Sequence, residues 1–468
     1  MPNTSDIIYG QFDFVKLPRT QQIDTLESYY SNNELYEATR LLKHYLGVWN
    51  EDLRPLRTPV QRSVGFYVAK IAIGEPKVSA TNPAVADAVA QIMENSNFQI
   101  VKPVQVQKMS LHGDLFRKAV IEGEKPFHEV IETRHVTEYT ADNRGFLTSI
   151  RIDTPIESDG MDVIRTEYWT TLETTPYMAI WEHIMDAQTP LDQLGDPILF
   201  KQLSRLGIDF IPFVRSPFKN SGGEWGDSCV QHALLKVDEA NRMATRLHQS
   251  LFRYNKPIWA VSANYMNADG SPGRVQKIKN AGDGDKRDVE MRDNTILFMD
   301  GVTKIDSLIP DIDYAAALDI VKSQEKELEK DLPELLYYSL PDKADMSGEA
   351  IRTLLGAAVD RAAQAQSNFV EGTIRLNQMC ITLGQVQGIF PASLGTFDSG
   401  ATKHSIRFGE QFPVGAGEKA TTLTSLVNAM GQENLKLAMQ LSGYSEEEVA
   451  EIVIPKPKPN PNNLVQPA

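Results

Sequence analysis

Lys322, Lys326 and Lys330 recur at i, i+4 and i+8, a spacing that on a helix puts three ammonium groups in one stripe. Such a stripe can hold phosphate or pair with carboxylates. Glu325, Glu327 and Glu329 lie beside it, so a salt-laced solvated face is the plain reading. From Asp311 to Asp345, ten Asp or Glu stand against four Lys, a local net of −6. The phosphate reading sharpens only if the chain repeats about a symmetry axis, where one lysine becomes a belt of charge on an acidic wall. A polyanion would slide past such a wall without sticking.

Other chemistry-bearing residues do not assemble into a motif. Gly415-Ala-Gly-Glu-Lys-Ala-Thr imitates only the ending of a phosphate loop, and its glycine spacing is wrong for cradling phosphates. Asp283, Asp285 and Asp288 suggest a calcium loop, but Arg287 stands where an acid belongs, and a flexible polar loop fits better. Gly226-Asp-Ser-Cys-Val230 lacks the last glycine of a nucleophile elbow, which leaves Ser228 as helix-capping material. The eight histidines are scattered, with no His-Glu-x-x-His pair for zinc. Cys229 and Cys380 are the only cysteines, too few for a disulfide framework or a four-cysteine zinc site, and read as buried free thiols. No metal, other cofactor or catalytic residue is expected. A cytosolic enzyme whose site is assembled from distant acids and histidines is the rival from another class.

The totals narrow the field further. At 468 residues the chain can bury a sizeable core and form at least two structural units. Its 41% hydrophobic and 23% charged residues are ordinary for a folded soluble protein. The net charge of −15 opposes tight duplex binding, which needs a basic face, so any DNA is guided and not gripped. No run of 18 apolar residues occurs, and Met1 to Val15 lacks the basic-then-apolar order of a secretory signal. The expectation is a protein made and kept in the cytoplasm.

The elements that must position these residues are read from period and punctuation. Tyr29 to Tyr45 suits an amphipathic helix ended by Gly47, and Val60 to Ile73 a buried helix stopped by Gly74 and Pro76. From Phe98 to Trp169 the period falls towards two, which predicts antiparallel strands, with His128 to Tyr139 and Leu147 to Asp153 the clearest. Ile211 to Gly226 is an extended junction before a helix capped by Asp227 or Ser228 and running to Tyr254, about 26 residues and roughly 40 Å. Pro257 ends that helix. A strand-rich insert follows, with Ile258 to Ala263, Arg274 to Lys279 and Asn294 to Met299 as strands.

A return helix is expected from about Ile312 to Leu336, then a polar loop from Leu340 to Met346. A long helix rich in alanine should run from Gly348 to about Leu383, followed by a strand at His404 to Phe408. Helices over Thr421 to Met439 and Ser445 to Ile452 precede a Pro-rich tail, Pro455 to Ala468, that reads as disordered or polyproline-like.

This order of elements resembles the portal proteins of tailed bacteriophages over most of the chain. Local stretches share the likeness. Leu53 to Pro76 looks like the family's early helix with its Gly-x-Pro turn, and Ile211-Pro-Phe-Val with the following Gly-Asp-Ser looks like its wing-to-stem junction. Leu332-Pro-Glu-Leu, Pro341 and Ser347-Gly-Glu-Ala-Ile-Arg352 resemble the tunnel-loop segment and the helix start after it; Ile351 departs from the usual leucine.

The resemblance implies an α+β, portal-like fold: a mixed α/β wing over residues 1–226, a descending stem helix over 227–256 and a β-rich clip over 257–310. An ascending stem helix over 311–338, a tunnel loop over 339–347, a kinked long helix and return strand of the wing over 348–414, a helical crown over 415–454 and a flexible tail over 455–468 complete it. It implies a non-enzymatic ring of twelve copies at one capsid vertex of a virion, made in the host cytoplasm, through which double-stranded DNA passes without sequence specificity. The expected partners are the terminase large subunit, the major capsid and scaffolding proteins and a head-completion or tail adaptor, with no membrane. Asp342, Lys343 and Asp345 would project into the channel, with Lys322, Lys326 and Lys330 along the stem. Arg274, Lys277, Lys279, Lys286 and Arg287 would serve adaptor or terminase docking at the clip. Another neck or capsid structural protein is the nearer alternative.

Overall fold

The computed structural model describes residues 17–31, 58–158, 160–171, 175–184, 189–254, 259–263, 296–300, 304–307, 314–343, 353–397, 399–409, 416–431 and 434–442, with a few single residues besides. The chain divides into two compact units, Met1–Gly409 and Glu410–Ala468.

The first unit opens with α1 (Arg19–Ser31), α2 (Pro59–Ile71), β1 (Lys77–Ala80), α3 (Pro83–Asn95) and α4 (Phe98–His112). Eight strands follow: β2 (Asp114–Glu122), β3 (Lys125–Ile131), β4 (Val136–Ala141), β5 (Leu147–Ser158), β6 (Met161–Thr170), β7 (Tyr177–His183), β8 (Leu199–Gln202) and β9 (Phe213–Pro217). They form two antiparallel sheets, ordered β3-β2-β9 and β4-β5-β6-β7-β8. Next come α5 (Leu234–Tyr254), β10 (Trp259–Ala263), β11 (Ile296–Asp300), β12 (Lys304–Ser307) and α6 (Tyr314–Asp331). The long α7 (Gly356–Val386) and β13 (His404–Arg407), which pairs antiparallel with β1, close the unit.

β2 is the hinge of the core because alternate side chains serve two layers. Arg117, fully buried, reaches α7, where it donates to Thr373 Oγ1 at 2.8 Å and to the Phe369 carbonyl at 3.3 Å. On the opposite face Phe116 meets Tyr139 edge-on, and the Lys118 ammonium sits 4.8 Å from the Trp169 ring centre, so the five-stranded sheet covers that side. Close approach of α7 to β9 needs Gly372: a Cβ there would stand 2.1 Å from Ser216 Oγ. Buried Ala358, Ala362, Ala365 and Phe369 continue the same face of α7.

Several expectations are corrected. Phe98–His112 is helix and not strand: Phe98, Lys102, Gln105, Val106 and Met109 are buried at helical spacing, but two of them are polar, which hid the period. The first helix lies at Arg19–Ser31, ahead of the expected place; Leu35 to Tyr45 fall outside the described residues.

The descending helix starts at Leu234 instead of 227, after a 3₁₀ turn over Gln231–Ala233. Ahead of it Asp227 N donates to Lys219 O and Cys229 N to Ser110 O, both at 2.9 Å, which ties this stretch to neighbouring segments. Its 21 residues make a rod of roughly 32 Å. The return helix stops at Asp331 because Pro333 follows, disfavouring helix at the residue before it. Pro333–Lys343 then winds as 3₁₀ turns, so the first half of the expected tunnel loop has regular structure. The long helix has a break at Leu355 (φ −90, ψ 3) before Gly356 and extends to Val386, three residues beyond expectation.

Other expectations hold. The helix at Pro59–Ile71, strands β5 and β13, and strands at Trp259–Ala263 and Ile296–Asp300 lie close to where the sequence placed them. Cys229 and Cys380 are free, buried thiols. No helix among the described residues is long and apolar enough to cross a membrane.

In the second unit α8 (Ala416–Met430) and α9 (Leu435–Leu441) pack on each other, divided at Gly431, whose φ of 85 ends the helix expected to continue to Met439. The helix expected at Ser445 to Ile452 and the tail from Pro455 lie outside the described residues, apart from one helical residue at Val449.

Candidate functional site

α5 and α6 form a hairpin. Lys236 in the first turn of α5 pairs with Asp331 at the end of α6 at 2.6 Å, so the two helices run antiparallel. Val237, Ala240 and Ala244 of α5 and Val321, Leu328 and Leu332 at and beyond α6 are buried, while the rest of each helix is largely polar. β10 is the centre of a three-stranded sheet between them, pairing with β11 in parallel and with β12 antiparallel.

Lys322, Lys326 and Lys330 are all exposed. At about 100° per residue they lie roughly 100–180° around α6 from the Val321–Leu328 line, so they form one stripe on the side away from the buried seam. Lys330 pairs with Glu327, and the pairing holds that carboxyl below its usual range. The salt-laced reading therefore holds for Lys330.

Asp342 and Lys343 end the 3₁₀ segment. Asp345 and the residues expected to dock partners, Arg274, Lys277, Lys279, Lys286 and Arg287, lie outside the described residues.

The base of the hairpin is built from groups the sequence did not single out. The Asp331 carbonyl accepts from Arg361 at 3.1 Å, which places a guanidinium at the negative helix end, and it is 3.0 Å from His232 Nε2. One step on, Glu334 is fully buried against α2: Ser63 Oγ donates to one carboxyl oxygen and Tyr67 OH to the other at 3.1 Å. Burial raises the Glu334 carboxyl, and the Ser63 hydroxyl bond opposes this. Burial, then the Glu334 charge, pushes the Tyr67 hydroxyl far up, and burial likewise raises the adjacent Cys229 thiol. A polar residue in the apolar Val60 to Ile73 run, Ser63, was the available signal for a buried partner.

Outside this region, a groove of about 140 Å³ includes Arg215, Glu371 and Arg375 in its lining. Its cations are engaged: Arg375 binds Glu371 at 3.1 Å and Arg215 binds buried Asp114 at 2.7 Å. The carboxyls that burial raises, Asp238 and Glu334, lie elsewhere, the first held by Tyr29 OH at 2.6 Å. Among the described residues, these two carboxyls serve to pack helices together and do not line that groove.

No family model matches the sequence, and no curated protein does. Among solved structures, the chain is similar to one described as the virion of a native gene transfer agent particle, at 13% identity and a TM-score of 0.41 over 89% of this chain and 92% of that one. It is also similar to one described as the neck of a native gene transfer agent particle computed with C12 symmetry, at 14% identity and a TM-score of 0.39 over 83% and 90% of the two chains.

Proposed function

We propose that this chain is the ring subunit of a phage-type portal, the channel for genome packaging and ejection at one capsid vertex. The observation that carries the reading is the α5–α6 hairpin, with a small sheet between its helices, which leads through Pro333–Lys343 into the long α7 of the wing core. That is the succession of stem, clip, tunnel segment and wing implied by the sequence resemblance.

In this reading twelve copies surround an axis and α6 faces the channel. Its acidic surface repels the DNA backbone, while Lys322, Lys326 and Lys330 repeat as sparse belts, so a duplex is centred and not held. Asp342, Lys343 and Asp345 stand at the loop that reaches inward. Arg274, Lys277, Lys279, Lys286 and Arg287 form the docking surface for terminase and later for an adaptor; capsid and scaffolding proteins meet the wing. The nucleotide chemistry belongs to the terminase.

Electron-microscopic class averages of the purified chain test the ring directly: hollow rings seen end-on are expected, and a monodisperse monomer refutes the reading. Replacing residues 341–346 by a short glycine linker should leave rings intact and impair packaging or DNA retention. Normal packaging with normal retention would sink the assignment of that loop.

A further inference from the structure

A groove of about 140 Å³ opens where the end of β4, the end of β9 and the middle of α7 meet, with Arg215, Glu371 and Arg375 among its walls. Asn220 and Asn368 add uncharged polar groups to its lining. An apolar cavity of about 150 Å³ holds one benzene ring. This groove therefore suits a single small group, and is too small for a nucleoside or a peptide.

Both arginines are engaged through Nε, which leaves their terminal nitrogens over. Arg375 donates from Nε to Glu371 at 3.1 Å and lays its guanidinium on the Phe146 ring, 4.3 Å from the centre. Among the described residues no acceptor meets its two terminal nitrogens, and Gly145 stands beside Nη1, which a Cβ there would approach to 4.0 Å. Arg215 donates from Nε to Asp114 at 2.7 Å and lies 4.9 Å from the Tyr139 ring centre, while its Nη2 is buried with no partner among the described residues. A guanidinium offers five N–H donors in a rigid fork, so an ion pair at Nε leaves the end of the fork for a second acceptor.

The charge around the groove is unbalanced. Asp114, fully buried, is the shared acid of Arg19 at 3.2 Å and Arg215 at 2.7 Å. Arg117 lies just beneath Gly372, where a Cβ would stand 2.8 Å from its Nη2. It is held by the Thr373 and Ser216 hydroxyls and the Phe369 carbonyl, with no carboxylate partner among the described residues. Counting Glu371, and Glu224 whose charge reaches Tyr139, four arginines stand against three carboxylates. The pair Arg144–Asp142 next to Gly145 adds no net charge. In a chain of net charge −15 this excess is a local exception, and a buried donor without an acceptor carries a cost that an anion would lift.

We infer that the groove binds one oxyanion group, a carboxylate or a phosphate, on the terminal nitrogens of Arg375 with Arg215 as the second cation. Two sources supply that chemistry: a phosphate-type anion in solution, or an Asp or Glu side chain of a second copy of this chain. Phe146 holds the Arg375 guanidinium in place, so little freedom is lost when the ligand arrives. Glu371, on the exposed side, competes with the ligand for the same guanidinium. The inference does not rest on the channel reading.

The test is calorimetric titration of the full chain with inorganic phosphate near neutral pH in ~0.1 M NaCl, where charges more than about 10 Å apart are screened. One saturable site per chain is expected. Arg375→Gln should weaken it about tenfold or more, the worth of a hydrogen bond to a charged group. Glu371→Gln should tighten it, because the competing carboxylate is gone, and a merely structural role for the Arg375–Glu371 pair would not give that gain. Sedimentation of the same proteins over a range of concentrations separates the sources. Phosphate binding with association unaffected by Arg375→Gln assigns the groove to an anion in solution; self-association that Arg375→Gln abolishes, without phosphate heat, assigns it to an acid of a second copy. Phosphate heat that Arg375→Gln leaves unchanged, or neither phosphate heat nor association that depends on Arg375, overturns the inference. Circular dichroism checks the fold of each variant, and Arg375→Lys, which keeps the charge and loses the fork, gives the same reading should the glutamine variant not fold.

Discussion

His128 and Asp238 should give the protein two opposed acid responses that hide one another. His128 is buried, and burial, followed by the Arg117 charge, pushes its imidazole down from 6.5 to about 3. Asp238 moves the other way: burial raises it from 3.8 to about 6, against the bond from Tyr29. Between pH 4 and 6 the folded protein keeps His128 neutral while the unfolded chain protonates it. Stability from this group is lost as pH falls through that window. Over the same window the folded protein keeps Asp238 protonated while the unfolded chain ionises it, so its contribution grows as pH falls. Each slope is about 1.4 kcal/mol per pH unit, of opposite sign.

Urea titrations at pH 4, 5 and 6 would resolve them, read as each variant's stability minus that of the wild type. His128→Gln should gain by roughly 2–3 kcal/mol from pH 6 to pH 4, and Asp238→Asn should lose by a similar amount. The double variant should follow the wild type. Flat differences for both single variants, or slopes of the same sign, would refute the assignment of these two groups.

Three further outcomes follow from packing and burial. Gly372→Ala drives a Cβ into Ser216 Oγ and the Arg117 guanidinium, and should destabilise by about 1–3 kcal/mol, seen as a lower urea midpoint; adding Ser216→Gly should recover part of the loss. Glu334→Gln keeps one acceptor oxygen, leaves the other hydroxyl to turn and accept from the amide NH2, and removes a carboxyl that burial raises above 4.5, whose charged form costs stability increasingly as pH climbs past that value. The variant should gain on the wild type between pH 4 and pH 8 in the same titrations, and a relative loss over that range contradicts the burial account. Cys229 and Cys380, buried with raised thiols, should react with a thiol-specific dye at pH 8 only when urea unfolds the chain; prompt labelling of either in buffer refutes its burial.

What the sequence revealed depended on whether period and burial agreed. β5 shows its alternation over Leu147 to Asp153, and α2 its apolar face, since each packs mainly apolar residues inward. α4 failed because Lys102 and Gln105 occupy buried positions, so a hydrophobicity count sees only alternating valines. The start of α5 could not be read from Asp227 and Ser228, because Asp227 closes a turn onto Lys219 and Ser228 bonds Ser110, more than a hundred residues earlier. Lys322, Lys326 and Lys330 were legible as a stripe. Tyr337 and Tyr338 were placed in the ascending helix, whereas they lie in a 3₁₀ segment, and their ring contacts with Arg62 and Lys70, some 270 residues earlier, have no local signal.

The sheet whose strands lie between α5 and α6 in the chain has a mechanical consequence. The chain arrives from α5 through β10 and departs to α6 through β12, and these two strands are direct neighbours paired from Trp259↔Ser307 to Ser262↔Lys304. A pull along the helices therefore crosses from one to the other through that single ladder. Residues 264–295 join β10 to β11 in the sequence and contribute no residue to that ladder. A change of length or charge between β10 and β11 therefore leaves the paired residues Trp259–Ser262 and Lys304–Ser307, which carry the pull, unaltered.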